Sequence, residues 1–202
     1  MAVAPTSMVP SPAECFDLMD RYGMLPNIRE HSLMVGRVAG FLGRELVRSG
    51  WELSLPLVVS AALLHDIAKT AALGTDLRHA DLGREICERH GFFALAEIVA
   101  EHVVLKNGVP EQCCTEKEIV YYADKRVLHD EIVSLERRLE YILGRYGNGD
   151  GSLHERIRGN FSQAHEVEAL LFRVLPFAPA QVAALAADFP LEGLGQGGLA
   201  GK

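Results

Sequence analysis

Residues 58–70 read "VVSAALLHDIAKT". Val58 through Leu64 are apolar or small, the composition of a helix buried on every side. His65 and Asp66 follow without a break, and Lys69 stands one turn further on. A buried carboxylate or imidazole is costly unless a partner offsets it. An apolar run that ends in His-Asp therefore predicts that the rest of the chain supplies partners for both.

Outward from this run the pattern is helical throughout. Asn27 with Glu30 reads as a helix start, and Ser49-Gly50 as its end, giving a helix over 27–48. Ser54 caps the helix that carries the quoted run, with Pro56 in its first turn, to about residue 70. Further helices are predicted over 79–90, ended by Gly91, and over 93–106, ended by Asn107-Gly108. Thr115 with Glu118 forms a capping box opening 115–128, and another helix covers 130–146 before "GNGDG". Ser152 with Glu155 opens a helix to about 175, and Pro179 opens a short last one. No period-2 strand pattern stands out. The expectation is an all-α helical bundle with short connections, as one domain over residues 13–190. Residues 1–12 are Pro-, Ser- and Ala-rich, and 191–202 hold five glycines; both ends are expected to be flexible.

The polar residues inside the helical stripes are the informative ones. The helix over 27–48 has its stripe at Ile28, Val35, Val38, Leu42 and Leu46, and His31 falls on it. His102 continues the stripe of Leu95, Ile98 and Val99, and His79 is in phase with Leu82 and Ile86. Asp124 lies between Val120 and Val127 on the next stripe. Six potential metal ligands on five helices thus point inward. A lone histidine on such a face is more often a hydrogen-bonded core residue. Two inward acids beside four histidines call for a shared positive charge, which a divalent metal supplies. Lys69 shares a helical face with His65 and Asp66, where it either reaches an anionic substrate or is a solvated helix-end lysine. His90, His129, His154 and His165 read as structural or solvent-facing.

The 202-residue chain has a formal net charge of −7, which excludes a general nucleic-acid binder but not a small phosphorylated substrate. Cys15, Cys87, Cys113 and Cys114 form no C-x-x-C or disulfide framework. The N-terminal stretch has no signal-peptide pattern, and no apolar stretch is read as reaching the ~18 residues of a membrane span. These features lead to the expectation of a cytoplasmic protein with no membrane partner.

The order His31, His65-Asp66, His79, His102, Asp124 resembles the HD superfamily of metal-dependent phosphohydrolases, over about residues 27–128. "LLHDIAKT" is similar to its signature helix end, and "YYADKRV" (121–127) to the segment carrying its last aspartate. "RHADLG" (78–83) and "AEHVV" (100–104) fit the extra histidines of its two-metal members, among them enzymes that cleave dinucleoside tetraphosphates. The Gly-Tyr-Pro element of the cyclic-dinucleotide enzymes is not seen.

The resemblance implies an HD-domain helical bundle and a phosphohydrolase acting on a nucleotide or dinucleoside polyphosphate. It makes His31, His65, Asp66 and Asp124 the ligands of one metal, with Asp66 bridging to a second held by His79 and His102. Asp66 and Lys69 become catalytic, and Lys69, Lys125 and Arg126 become phosphate-binding. The mixed imidazole–carboxylate set suits transition metals, iron or manganese first, then cobalt, nickel or zinc. Two metals would acidify a bridging water and stabilise charge on the phosphoryl group. Two other readings stand beside this one: a di-iron HD oxygenase, and a non-catalytic nucleotide-binding regulatory module.

Overall fold

The computed structural model describes residues 8–146 and 151–191, and those residues form an all-α fold. Of the expected flexible ends, 1–7 and 192–202 lie outside the described residues. The remainder of both ends is structured. Helix α1 (Pro12–Arg21) starts inside the segment expected to be loose. Ser11 caps it through its hydroxyl, and the Glu14 carboxylate accepts from the Ser11 backbone N–H at 2.7 Å. That capping box, with Pro12 at the first helical position, is written in the sequence as Ser-Pro-Ala-Glu.

Helix α2 (Pro26–Arg48) is the longest element and the spine of the core. It begins at Pro26 with Leu25 as cap residue, so Asn27 is not its cap. Its stripe, Ile28, Val35, Val38, Leu42 and Leu46, is buried, and His31 is buried with it. Against it lies α3 (Leu55–Leu64), capped by Ser54 and buried continuously from Val58 to Leu64. The helix expected to run on to residue 70 instead breaks. Residues 65–68 form turns, and the single turn α4 (Lys69–Ala72) follows.

The stretch Leu55–Ala72, with a mean hydropathy of 1.3 over 18 residues, is long and apolar enough to cross a membrane by composition alone, contrary to the reading above. In the fold, 61% of it is buried among other helices, as the central core helix of a domain must be.

Helices α5 (His79–Arg89) and α6 (Phe93–Glu101) pack as a pair. Gly83 permits the approach, since a Cβ there would lie 2.8 Å from a Val99 methyl. Helix α7 (Glu116–Lys125) packs against α2, α3 and α6, and opens with the expected Thr115–Glu118 capping box. It stops three residues before the expected end. Val127–Leu128 (β1) pairs antiparallel with Glu131–Ile132 (β2), a two-residue ladder that no strand pattern announced. Helices α8 (Leu135–Tyr146) and α9 (Gly151–Leu171) pack on each other, and α9 also lies on α7. A 3-10 turn at Pro179–Gln181 leads to α10 (Val182–Ala186), which returns to α2.

Arg126 corrects the expectation most clearly. It is 3% exposed and does not face the histidine cluster. Its Nε donates to the Val133 carbonyl at 2.6 Å, and Nη2 to the Pro179 carbonyl at 3.1 Å. Nη1 reaches the Tyr122 hydroxyl and, at 3.3 Å, Glu168. Arg126 therefore ties α7 to the segment after the hairpin, to α9 and to the entry of α10. It cannot also hold phosphate.

At the C-terminal end, Phe189 sits over Gly40 of α2 so closely that a Cβ on Gly40 would lie 2.7 Å from its ring. Leu191 is buried too, packed against Gly36. The structured core therefore extends one residue into the stretch expected to be a free tail.

Two outcomes test this packing. Phe189→Ala should lower the unfolding free energy by about 3 kcal/mol through transfer and cavity losses, measured by urea denaturation. A loss under about 1 kcal/mol would mean that the segment is not part of the core. Arg126→Gln should also cost about 3 kcal/mol, because it leaves buried carbonyls and Glu168 without their cation. Metal content and substrate affinity should stay at wild-type values. An Arg126→Gln protein of unchanged stability but weakened phosphate affinity would restore the phosphate-binding role.

Candidate metal centre

His31, His65, Asp66, His79, His102 and Asp124 come together at one end of the bundle. All but His31 stand at or beside the end of a helix. His65 caps the C-terminus of α3, and Asp66 is the first residue beyond it. His102 caps the C-terminus of α6. His79 is the first residue of α5, and Asp124 is in the last turn of α7.

The histidine rings at the two C-termini are oriented by the helices they end. The last carbonyls of a helix have no intrahelical donor. His65 Nδ1 donates to the Ala62 carbonyl at 2.7 Å, and His102 Nδ1 to the Val99 carbonyl at 2.7 Å. Each ring thus satisfies the carbonyl three residues back and turns its Nε2 away from the helix. His31 Nδ1 is held likewise by the His129 carbonyl at 3.0 Å. His129 presents that carbonyl from the β1–β2 turn in a left-handed conformation, φ 57°. With Nδ1–H committed to a carbonyl, the Nε2 lone pair is left for a ligand, the usual arrangement of metal-binding histidines.

Those nitrogens surround Asp66, a carboxylate 1% exposed. Its Oδ2 lies 3.4 Å from His65 Nε2 and 4.0 Å from His31 Nε2. Asp124 Oδ1 completes this side, 3.1 Å from His31 Nε2 and 3.6 Å from His65 Nε2. The other oxygen of Asp66, Oδ1, faces a different pair, His79 Nε2 at 3.2 Å and His102 Nε2 at 3.6 Å. These two nitrogens are 3.1 Å apart. Two donor sets therefore share one carboxylate.

The donors fit a metal ion on their own chemistry. His65 Nε2 and Asp66 Oδ1 are buried and make no hydrogen bond of acceptable geometry. The ligand atoms of His31, His65 and Asp124 all lie within 4.8 Å of one another, as do those of His65, Asp66 and His102. Orphaned buried polar atoms of this kind need an explanation, and a shared cation is one.

The electrostatics agree. Burial opposes ionisation of both acids, yet His65 holds the Asp66 carboxyl well below the usual carboxylate range, and Lys125 with the histidines does the same for Asp124. Burial also opposes charge on His65, but the two carboxylates push its imidazolium up to about 9. His102 is pulled down to about 4 by burial, more than Asp66 offsets. The cluster thus keeps two anions close together and favours positive charge beside them.

Two of the three expected phosphate-binding cations line the site. Lys69 Nζ lies 2.6 Å from Asp66 Oδ2, with its side chain 37% exposed. Lys125 is buried; its Nζ donates to the His102 carbonyl at 2.8 Å and lies 3.4 Å from Asp124 Oδ2. Arg126 turns away, as described above.

Two cavities open over the centre. The larger, about 450 Å³, reaches Asp66, His79, His102 and Asp124, and its lining includes the apolar Leu77, Ile142, Ile157 and Phe161. The smaller, about 270 Å³, reaches His31 and His129. Lys69, Leu73, Arg138, Tyr141 and Tyr146 belong to both. The sequence reading missed the carbonyl of His129, which only the hairpin brings to His31, and the whole contribution of α8.

Comparison with known proteins agrees with this geometry. An uncharacterized protein of Methanocaldococcus jannaschii is 29% identical over an alignment of 133 positions, covering 56% of this chain and 78% of the relative. No solved structure matches the chain significantly. Residues 28–127 match the family model for the HD domain, a family of typically metal-dependent hydrolases. The six clustered side chains all fall within those residues, so the stretch that matches the HD domain holds the whole candidate centre.

Proposed function

We propose that this protein is a metal-dependent hydrolase of a phosphate ester or anhydride, acting on a nucleotide or dinucleoside polyphosphate with two divalent transition metals. One observation carries this reading: the two oxygens of Asp66 face two separate donor sets. A single-metal centre would need only His31, His65, Asp66 and Asp124. His79 and His102 would then be surplus imidazoles around an already occupied carboxylate.

In this reading Asp66 and Asp124 hold negative charge against the cations, and the backbone carbonyls behind His31, His65 and His102 keep each ring aimed. When bound, the metals supply an acidified water and Lewis-acid stabilisation of the phosphoryl group. Lys69 stands beside Asp66 in the cavity lining and binds phosphate oxygens as a point charge. Lys125, clamped between His102 and Asp124, adds a fixed one. The apolar wall of the larger cavity receives the organic part of the substrate and excludes water from it. Iron or manganese is the first expectation for this imidazole–carboxylate set.

Elemental analysis of the purified chain, followed by a nucleotide and dinucleoside polyphosphate hydrolysis panel, tests the proposal. About two transition metals per chain and metal-dependent turnover are expected. Asp66→Ala should lose both metals and activity. His79→Ala and His102→Ala should each leave about one metal and a steep fall in rate. Wild-type turnover in Asp66→Ala would sink the metallohydrolase reading. Saturation at one metal, unchanged in both histidine variants, would leave a single-metal enzyme with two core histidines.

A further inference from the structure

The substrate-facing wall of both cavities includes a cation that no motif flags. Helix α8 places Arg138, Tyr141, Ile142 and Arg145 at three- and four-residue spacing, hence on one face, and that face looks toward the centre. Arg138 and Tyr141 sit where the two cavities meet. We propose that Arg138 grips an anionic group of the substrate, a phosphate whose organic portion lies against Ile142, Ile157 and Phe161 in the larger cavity. This inference rests on the hydrolase reading and adds to it the residue that holds the phosphate beside the candidate metal ligands.

The argument is one of unmet bonding. Nε of Arg138 is buried and has no hydrogen-bond partner. Among the described residues no carboxylate lies within ion-pairing distance of its guanidinium. Its guanidinium carbon lies 5.9 Å from the centroid of the Tyr141 ring.

Its neighbours differ. Arg137 pairs with Glu131 at 3.1 Å, Arg126 is fully engaged, and Lys69 and Lys125 are each held by an aspartate. A guanidinium that lines a cavity while one of its donors is desolvated and unpaired is a costly feature. An anion in the cavity, bonded to the guanidinium, offsets that cost through its charge.

Chemistry names the anion. Arg138 lies close enough to Lys69 and Lys125 for its charge to act against theirs, so three cations converge on one space. Lysines offer point charges, whereas the guanidinium offers a planar fork that matches two oxygens of one phosphate. Asp66 and Asp124, which would hold the metals, line the same cavity. A phosphoryl group in that cavity would meet the arginine fork beside the residues that would hold metal.

The test uses the full-length chain loaded with manganese, and inorganic phosphate as the probe, by calorimetry. Wild type should bind phosphate. Arg138→Gln should weaken it by about 10- to 100-fold, the loss of one charge-assisted contact. Arg138→Lys should restore part of the loss, and metal content and melting temperature should match wild type in both. With a hydrolysed substrate, Arg138→Gln should raise KM with a smaller effect on kcat.

Phosphate affinity in Arg138→Gln within twofold of wild type overturns the proposal and leaves the hydrolase reading intact. A loss that follows a lost metal or a lowered melting temperature, and that Arg138→Lys does not restore, makes Arg138 a structural support and also overturns it. A metal-loaded wild type that binds no phosphate removes both this assignment and the phosphohydrolase reading.

Discussion

The structure depends on the burial of one carboxylate. Asp66 is 1% exposed, at the end of the most apolar helix in the fold. Placed there without partners, its charge would oppose folding by several kcal/mol. Four imidazoles and Lys69 surround it, drawn from α2, α3, α4, α5 and α6. The helices converge at this end because each must deliver a donor to the same place. In exchange the protein holds a preformed anionic centre with two faces.

Helix ends are the means of delivery. A ligand in mid-helix points where the helix axis dictates, whereas a residue at a C-terminus can turn. His65 and His102 use that freedom in the same way, each bonding to the carbonyl three residues back. One contact satisfies an otherwise unpaired carbonyl, selects the tautomer and aims Nε2. Gly83 contributes at a distance: by letting α5 close on α6 it allows His79, one turn earlier, to come within 3.1 Å of His102.

The residues that match the HD domain and the residues that wall the cavities are different parts of the chain. The six candidate metal ligands all lie within 28–127. Arg138, Tyr141, Ile142, Ile157 and Phe161 all lie beyond it. A candidate metal centre within the matched residues is thus roofed by α8 and α9, elements the family match does not include.

By itself the sequence determined the helical class, the burial of the stripes and the identity of the clustered side chains. An apolar period of 3.6 interrupted by His or Asp is a local signal with a single physical meaning, a buried group that needs a partner. It was enough to gather His31, His65, Asp66, His79, His102 and Asp124 from positions up to 93 residues apart. It was also enough to place Lys69 beside Asp66, since both lie on one turn.

What failed was anything decided by long-range contact. Arg126 carries the same local signal as a phosphate-binding residue, but its partners, Val133, Glu168 and Pro179, are set by how the hairpin and α9 fold back. The β1–β2 turn, the carbonyl it offers to His31 and the guanidinium of Arg138 over the centre leave no periodic trace. Their positions follow from packing between segments far apart in the chain. Tertiary structure alone decided those features, because a hydrogen bond or cavity wall belongs to two segments and neither one encodes it.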